Sequence, residues 1–191
     1  MSGLLRLSEA LEVARRVAVM NFFDGVMVGT GLVLGLAVSS ATGLKVVLVT
    51  VASVTLGSAV SGFMGAWLAE SVEQQSRLRR LEEALLSDLR GTIHHEAAVT
   101  APLLVGLINA AAAASGVVLV SSPYMLVTQS LLQPVHGAAA SAAVSLASLA
   151  GVGRLVERHL RLRPAYAAVR FLAAGLAMML VVLAVDLLVM A

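Results

Sequence analysis

The chain contains no cysteine, and only 13% of its 191 residues are charged. The lack of cysteine excludes disulfide bonds, iron–sulfur clusters and thiolate metal sites. Soluble domains carry about 25% charged residues, so the low charge excludes a separate soluble catalytic domain. The net charge of +2 is too small to predict binding to nucleic acid. The sequence also lacks a nucleophile motif, a phosphate-binding loop and a zinc-protease helix, and we expect the protein not to be an enzyme.

Long apolar runs make up most of the chain, which is 59% hydrophobic with a mean hydropathy of +0.95. A helix needs about 20 mostly apolar residues to cross a bilayer. The predicted fold is therefore an all-α integral membrane bundle, in a single transmembrane domain with the lipid bilayer as its surroundings. The five predicted spans are at about 17–40, 45–69, 97–121, 125–151 and 167–190.

Two shorter segments are predicted to lie outside the bilayer. Residues 1–16 contain an amphipathic pattern that predicts a helix lying along the membrane surface. Residues 70–96 carry six acidic residues and four arginines between the second and third spans. Leucines at helical spacing in this segment predict a short cytoplasmic helix.

The basic residues predict the orientation. Twelve of the thirteen lie before the first span, between the second and third, or around the junction of the fourth and fifth, and Lys45 is the exception. Arginine and lysine concentrate on the cytoplasmic side of membrane proteins. We therefore expect a cytoplasmic N-terminus and an external C-terminus. As a separate expectation, the protein is placed in a prokaryotic cell membrane rather than a vacuolar membrane.

Small residues recur four apart along the first predicted helix, as in Gly25 and Gly29 or Gly31 and Gly35. Such residues let helix backbones approach closely in lipid. Ordinary tight packing of a bundle is the simpler interpretation of any one motif. Five helices enclose little lumen, however, so we expect a homodimer that shares a pathway along its interface.

Asp24 is the residue that most strongly indicates a function, because it lies inside the first apolar run. A carboxylate at the centre of a bilayer costs about 2.5 kcal/mol or more. The membrane interior favours the neutral form of such a group, which can then exchange its proton for a divalent cation. Asp24 is accordingly predicted to be the metal and proton site of an antiporter. A structural aspartic acid, held protonated by a hydrogen bond, is the alternative.

Three methionines are candidate soft ligands for the same cation. Met20 lies four residues before Asp24, and Met27 lies three residues after it. Both spacings place the methionine on the same helix face as Asp24. Met64 lies at a similar depth on the second helix. A thioether beside a carboxylate favours a borderline transition metal over magnesium or calcium, although methionine in a helix is commonly packing material.

Other polar side chains complete the predicted set. Glu70 and Glu73, at the end of the second helix, are predicted to gather cations at the cytoplasmic mouth. His136 is a candidate proton relay, on a stripe with Gln129 and Gln133 along the fourth helix. Asn109 is expected to make an interhelical hydrogen bond. His94, His95 and Asp186 are further candidates.

Three segments resemble the vacuolar iron transporter family. Phe23-Asp24-Gly25 is similar to the Asp-Gly pair of the family's first helix. The run from Ser61 to Glu73 resembles its small-residue second helix, which ends in an aromatic–Leu pair followed by a glutamate. Pro123-Tyr124 is similar to the boundary after its third helix. The sequence departs from the family's pattern in two places. Gly62 stands where the family commonly has methionine. The long metal-binding insert of the plant members is reduced to residues 70–96.

The resemblance implies a dimeric five-helix exporter that moves Fe²⁺ or Mn²⁺ out of the cytoplasm against a flow of protons. Asp24 matches the family's pathway aspartate, and Glu73 matches its glutamate beyond helix 2. The metal is then a transported substrate, and no permanently bound cofactor is expected. Two other interpretations remain open: a structural or regulatory membrane protein without transport, and a small intramembrane enzyme that uses His136, or His94 and His95.

Overall fold

The structure, a computed structural model, describes residues 2–87, 89, 92–160 and 166–190; of these, residues 2–12, 93–94, 97, 159–160, 186–187 and 189–190 are described by their backbone alone. Within this part the chain forms helices and no strands. Five helices are long and apolar enough to cross a membrane, which confirms the predicted all-α class and the number of candidate spans. The helices are α1 Ser2–Val38, α2 Leu44–Leu85, α3 Ile93–Ser121, α4 Met125–Thr128, α5 Pro134–Leu160 and α6 Tyr166–Met190.

Helices α1 and α2 are longer than the spans predicted from hydropathy. No glycine or proline between Leu4 and Phe23 interrupts the helix, so residues 4–16 continue into the first span without a break. Residues 70–85 likewise extend α2, whose 42 residues measure about 63 Å. That length is about twice the thickness of the hydrocarbon core of a bilayer. The position of these extensions relative to a membrane surface stays a prediction.

The fourth predicted span is present, but its predicted bounds, 125–151, are wrong. The structure has a single helical turn, α4, then a turn at residues 129–133, and the long helix α5 begins at Pro134. Proline lacks a backbone N–H and has a fixed φ, so it is favoured at the first position of a helix. Gln129 and Gln133 therefore precede α5, and they do not form a helical stripe with His136.

Helix α3 is the centre of the packing. It lies against both α1 and α2, which contact each other little, while α5 packs on α6 and α1. The α1–α3 contact is backbone to backbone: a Cβ added at Gly116 would lie 2.6 Å from the carbonyl oxygen of Phe22, and one at Gly25 would overlap the carbonyl of Ala113. Only glycine permits this approach. The predicted close packing around Gly25 is therefore present.

Candidate metal site on the exposed face of α1

Asp24 lies near the middle of the first candidate span, Val13–Val38, about 16 Å from the first residue of that span. Its side chain is exposed on the single chain. Met20 and Val28, one turn before and after it, are also exposed, by 61% and 42%. Among the residues that the structure describes, Asp24 has neither a hydrogen-bond partner nor an ion-pair partner. The carboxyl group is thus presented outwards at mid-span, and it is not buried among the helices of its own chain.

The glycine contacts of α1 explain this orientation. Gly25 and Gly29 are buried against α3, where a Cβ at Gly29 would approach the Cα of Val117 to 3.1 Å. Residues three and four apart share a helix face, so the close contact with α3 occupies one face of α1. The stripe of Met20, Asp24 and Val28 is left on another, exposed face.

The candidate methionines occupy three different environments. Met20 is exposed on the same stripe as Asp24. Met27 is half-buried and packs against the cluster formed by Val26, Val120 and Leu149, so it fills space in the core. Met64 is 49% exposed on α2. Only Met20 shares the exposed face of Asp24.

Met64 is turned away from α1 within one chain. Gly62, two residues before it, approaches Asn21 of α1 and Asn109 of α3. Two residues correspond to about 200° around a helix, so Met64 lies on the opposite side of α2. The structure does not bring Met64 and Asp24 together in the single chain.

Glu70 and Glu73 already have polar partners on α2. The half-buried Glu70 accepts a hydrogen bond of 2.7 Å from Nε2 of Gln74. Glu73 is 57% exposed, and its Oε1 lies 2.9 Å from Nε of Arg77. An exposed ion pair contributes about 0–1 kcal/mol, so the contact with Arg77 holds the Glu73 carboxylate only weakly.

The two histidine side chains that the structure describes, His95 and His136, do not form a metal-binding group with Asp24. His136 is exposed in the first turn of α5, close in sequence to Ala138, which belongs to a cluster with Tyr124 and Val33. Nδ1 of His95 is buried and has no partner in the described part of the chain. The side chains of His94 and Asp186 lie outside the described residues. Within those residues, no group of three or more His, Asp and Glu side chains that could hold a metal ion is present.

Polar side-chain atoms are buried inside the candidate spans. Several buried polar atoms are inaccessible to water and have no partner among the described residues. The atoms in the candidate spans are Thr55 Oγ1, Asn109 Oδ1, Ser121 Oγ and Ser141 Oγ.

Glu157 was missed by the sequence reasoning. It is 8% exposed, and its Oε1 accepts a hydrogen bond of 2.8 Å from the backbone N–H of Ala168. Ala168 is in the first turn of α6, where backbone N–H groups lack helical partners. A carboxylate of α5 thus caps α6. The available signal was a single acidic residue in an otherwise basic junction between the last two spans.

Comparison with known proteins adds no relative: no family model matches this chain, and no curated protein matches it. The structure therefore defines the class of protein, an all-helical chain with five helices that could span a membrane. The relationship to vacuolar iron transporters, which was predicted from short motifs around Asp24, Glu73 and Tyr124, stays a prediction.

Proposed function

We propose that the protein exports a divalent transition metal, Fe²⁺ or Mn²⁺, from the cytoplasm in exchange for protons, and that it acts as a homodimer. The observation that carries this proposal is the carboxyl group of Asp24, which is exposed at the middle of α1 without a partner among the described residues. A carboxylate facing lipid is costly, so this face requires a polar covering. Intramembrane carboxylates with such a requirement mark ion and proton pathways.

A second copy of the chain is the covering that we propose. In a twofold dimer the same surface patch meets itself, so the two copies of Asp24 approach each other across the axis. Two carboxyl groups bind one divalent cation on releasing two protons, which leaves the net charge of the site unchanged. Met20, exposed one turn away, supplies a thioether that favours a transition metal over magnesium or calcium.

The exposed side of α2 supports the dimer. Gly57, Ser61 and Gly65 are exposed at intervals of four residues. A Cβ added at Gly57 or at Gly65 would meet nothing within 4 Å in the same chain. Small residues on an open helix face let another helix approach closely in lipid. This face is therefore suited to contact the second copy.

The proposed cycle uses the acidic residues in order of depth. Glu70 and Glu73 concentrate cations at the cytoplasmic end of α2. The cation then passes to the paired Asp24 carboxylates, and protons from the outer side displace it. Three exposed arginines support the proposed orientation, in which the α5–α6 junction lies on the cytoplasmic side, because basic residues favour that side. They are Arg154, Arg158 and Arg170. Arg161 and Arg163 lie outside the described residues.

The test is a flux assay in proteoliposomes that compares Fe²⁺, Mn²⁺ and Ca²⁺ with and without a pH gradient. The wild-type protein is expected to transport Fe²⁺ or Mn²⁺ and to respond to the gradient. Asp24→Asn is expected to reduce the flux to that of protein-free liposomes. Glu83→Gln, which changes an exposed carboxylate on the extension of α2, is the matched control and is expected to retain transport. Wild-type flux in Asp24→Asn would refute the proposal.

A structural or regulatory membrane protein is the second candidate, and it is favoured because the described residues contain no group of three or more His, Asp and Glu side chains that could hold a metal ion. The two candidates differ in metal binding. A transporter that binds metal in its folded state is stabilised by that metal, so Fe²⁺, Mn²⁺ or Co²⁺ is expected to raise the melting temperature of detergent-solubilised protein in an Asp24-dependent way. No metal-dependent rise would favour the second candidate.

A further inference from the structure

Helices α1 and α2 carry the proposed metal-binding residues, yet they contact each other little. Both pack on α3. The placement of α2 relative to Asp24 is consequently determined mainly by how α3 holds each of the two helices. On the α1 side this contact is made through glycine, with Gly25 against Ala113 and Gly116 against Phe22. The contact on the α2 side is of a different kind.

Asn109 makes a directional bond from α3 to α2. It is 2% exposed and lies midway along the third candidate span, Ala98–Ser121. Its Nδ2 donates a hydrogen bond of 2.6 Å to the backbone carbonyl of Gly62. Because a carbonyl oxygen only accepts hydrogen bonds, the amide nitrogen must face Gly62. Hydrogen bonds are sensitive to distance and angle, so this bond restricts the sliding and rotation of α2 in a way that apolar contacts do not.

The bond lies at the level of Asp24. A Cβ added at Gly62 would lie 3.4 Å from Nδ2 of Asn109 and 3.6 Å from Oδ1 of Asn21. All three helices therefore meet around one point. Asn21 precedes Asp24 by three residues, which is about 4.5 Å along a helix. A displacement of α2 at Gly62 thus occurs within one helical turn of the proposed metal site.

We propose that Asn109 is a positioning residue, which holds α2 against α3 and so determines the distance between Asp24 and the open face of α2. This inference rests on the proposed function, because it concerns the geometry of the same metal site. Asn109 acts through Gly62 and needs no contact with the ion. Its loss is expected to displace α2 and weaken metal binding while leaving Asp24 itself unchanged.

The absence of cysteine provides a clean background for a spectroscopic test. Val28→Cys on α1 and Val60→Cys on α2, which replace residues exposed by 42% and 62%, would carry spin labels. The doubly labelled chain is diluted into an excess of unlabelled protein, and the distance between labels is measured by pulsed electron paramagnetic resonance. Asn109→Leu is expected to shift or broaden that distance by about 1–2 Å, the usual size of a helix displacement.

Two further variants separate positioning from general loss of structure. Asn109→Asp, neutral in the membrane interior, retains a hydrogen-bond donor and is expected to restore the wild-type distance. Ser145→Ala removes the interhelical bond between α1 and α5 and is expected to leave the α1–α2 distance unchanged. If Asn109→Leu does not insert, Asn109→Ala replaces it in the same comparison.

Mn²⁺ binding is the second readout. Loss of one hydrogen bond in the supporting structure is expected to weaken Mn²⁺ binding by about fivefold to tenfold, with recovery in Asn109→Asp. The inference would be overturned if Asn109→Leu kept the wild-type label distance and Mn²⁺ affinity. It would also be overturned if Asn109→Asp changed both quantities as much as Asn109→Leu does. If the wild-type protein binds neither Mn²⁺ nor Fe²⁺, the proposed function fails, while the label distances still decide whether Asn109 positions α2.

Discussion

The hydroxyl groups of Thr30 on α1 and Ser145 on α5 lie 2.7 Å apart, and both residues are buried. Oγ1 of Thr30 also lies 2.7 Å from the carbonyl oxygen of Val26. A hydroxyl group has a single hydrogen to donate. The carbonyl oxygen of Val26 has none, so it can take part only as an acceptor. Thr30 therefore donates to Val26, and Ser145 donates to Thr30. This bond connects the α5–α6 pair to the first span.

Replacing Ser145 with alanine is expected to lower the free energy of unfolding by about 1 kcal/mol, because the buried Thr30 loses its donor. Unfolding in detergent micelles, followed by circular dichroism, measures the change. Ser148→Ala is the control: Ser148 bonds to the carbonyl of Val144 within its own helix, so its loss should cost less. Equal losses in the two variants would contradict the interhelical role of Ser145.

Adding a single methyl group at Gly25 is expected to destabilise the fold more than adding one at Gly35. The Cβ at position 25 would overlap the carbonyl of Ala113, whereas the Cβ at position 35 would meet nothing within 4 Å. Overpacking of this kind costs about 1–3 kcal/mol. The measurement is the thermal stability of Gly25→Ala beside that of Gly35→Ala. Similar stability of both variants would show that α1 and α3 separate without penalty.

The Asp24 face is expected to form the dimer contact, which single cysteines can detect. Met20 and Leu180 are exposed by similar amounts, 61% and 66%, on α1 and on α6. If the α1 face meets its twofold copy, Met20→Cys should form disulfide-linked dimers under mild oxidation and Leu180→Cys should not. Band intensities on a non-reducing gel give the result. Equal cross-linking at both positions would indicate random collision in the membrane.

Tyr124 is expected to make stability decrease at alkaline pH. Burial raises the pKa of its phenol above the usual value, and its hydroxyl donates a hydrogen bond of 3.2 Å to the carbonyl of Ala41. The fold therefore favours the neutral form. The contribution is fully present below about pH 10, the value for an exposed tyrosine, and is lost as the pH rises through the higher value of the folded protein.

Tyr124→Phe tests this expectation. The variant should be about 1 kcal/mol less stable near neutral pH, because it lacks the hydrogen bond to Ala41, but its stability should fall less between about pH 9 and pH 11. Unfolding midpoints measured across that range give both quantities. An identical alkaline decline in the two proteins would assign the decline to other groups.

The spans could be predicted from the sequence because hydropathy and length alone decide whether a helix can cross a bilayer. The turn at residues 129–133 could not be located in the same way. Leu131, Leu132 and Val135 continue the apolar run through it, so hydropathy does not distinguish the turn from a helix. Pro134 was the available signal, and it marks the start of α5 rather than a weak point inside a longer helix.

The candidate site was predicted only in part. Asp24 stands out in the sequence because a carboxyl group interrupts an apolar run. Its neighbours did not follow from spacing: Met27 packs in the core, and Met64 lies on the side of α2 opposite Gly62. Residue spacing gives positions around one helix, but the side that faces a neighbour depends on which small residues the neighbour contacts.

By itself, the sequence determined that this chain is helical, that five helices can cross a membrane, and that one carboxyl group falls inside the first of them, because these properties depend on local composition. Only the tertiary structure decided where that carboxyl group faces. The glycine contacts with α3 take up one face of α1, and Asp24 is left on the exposed face. This could not follow from local sequence, because a close approach of two helix backbones depends on residues from distant parts of the chain.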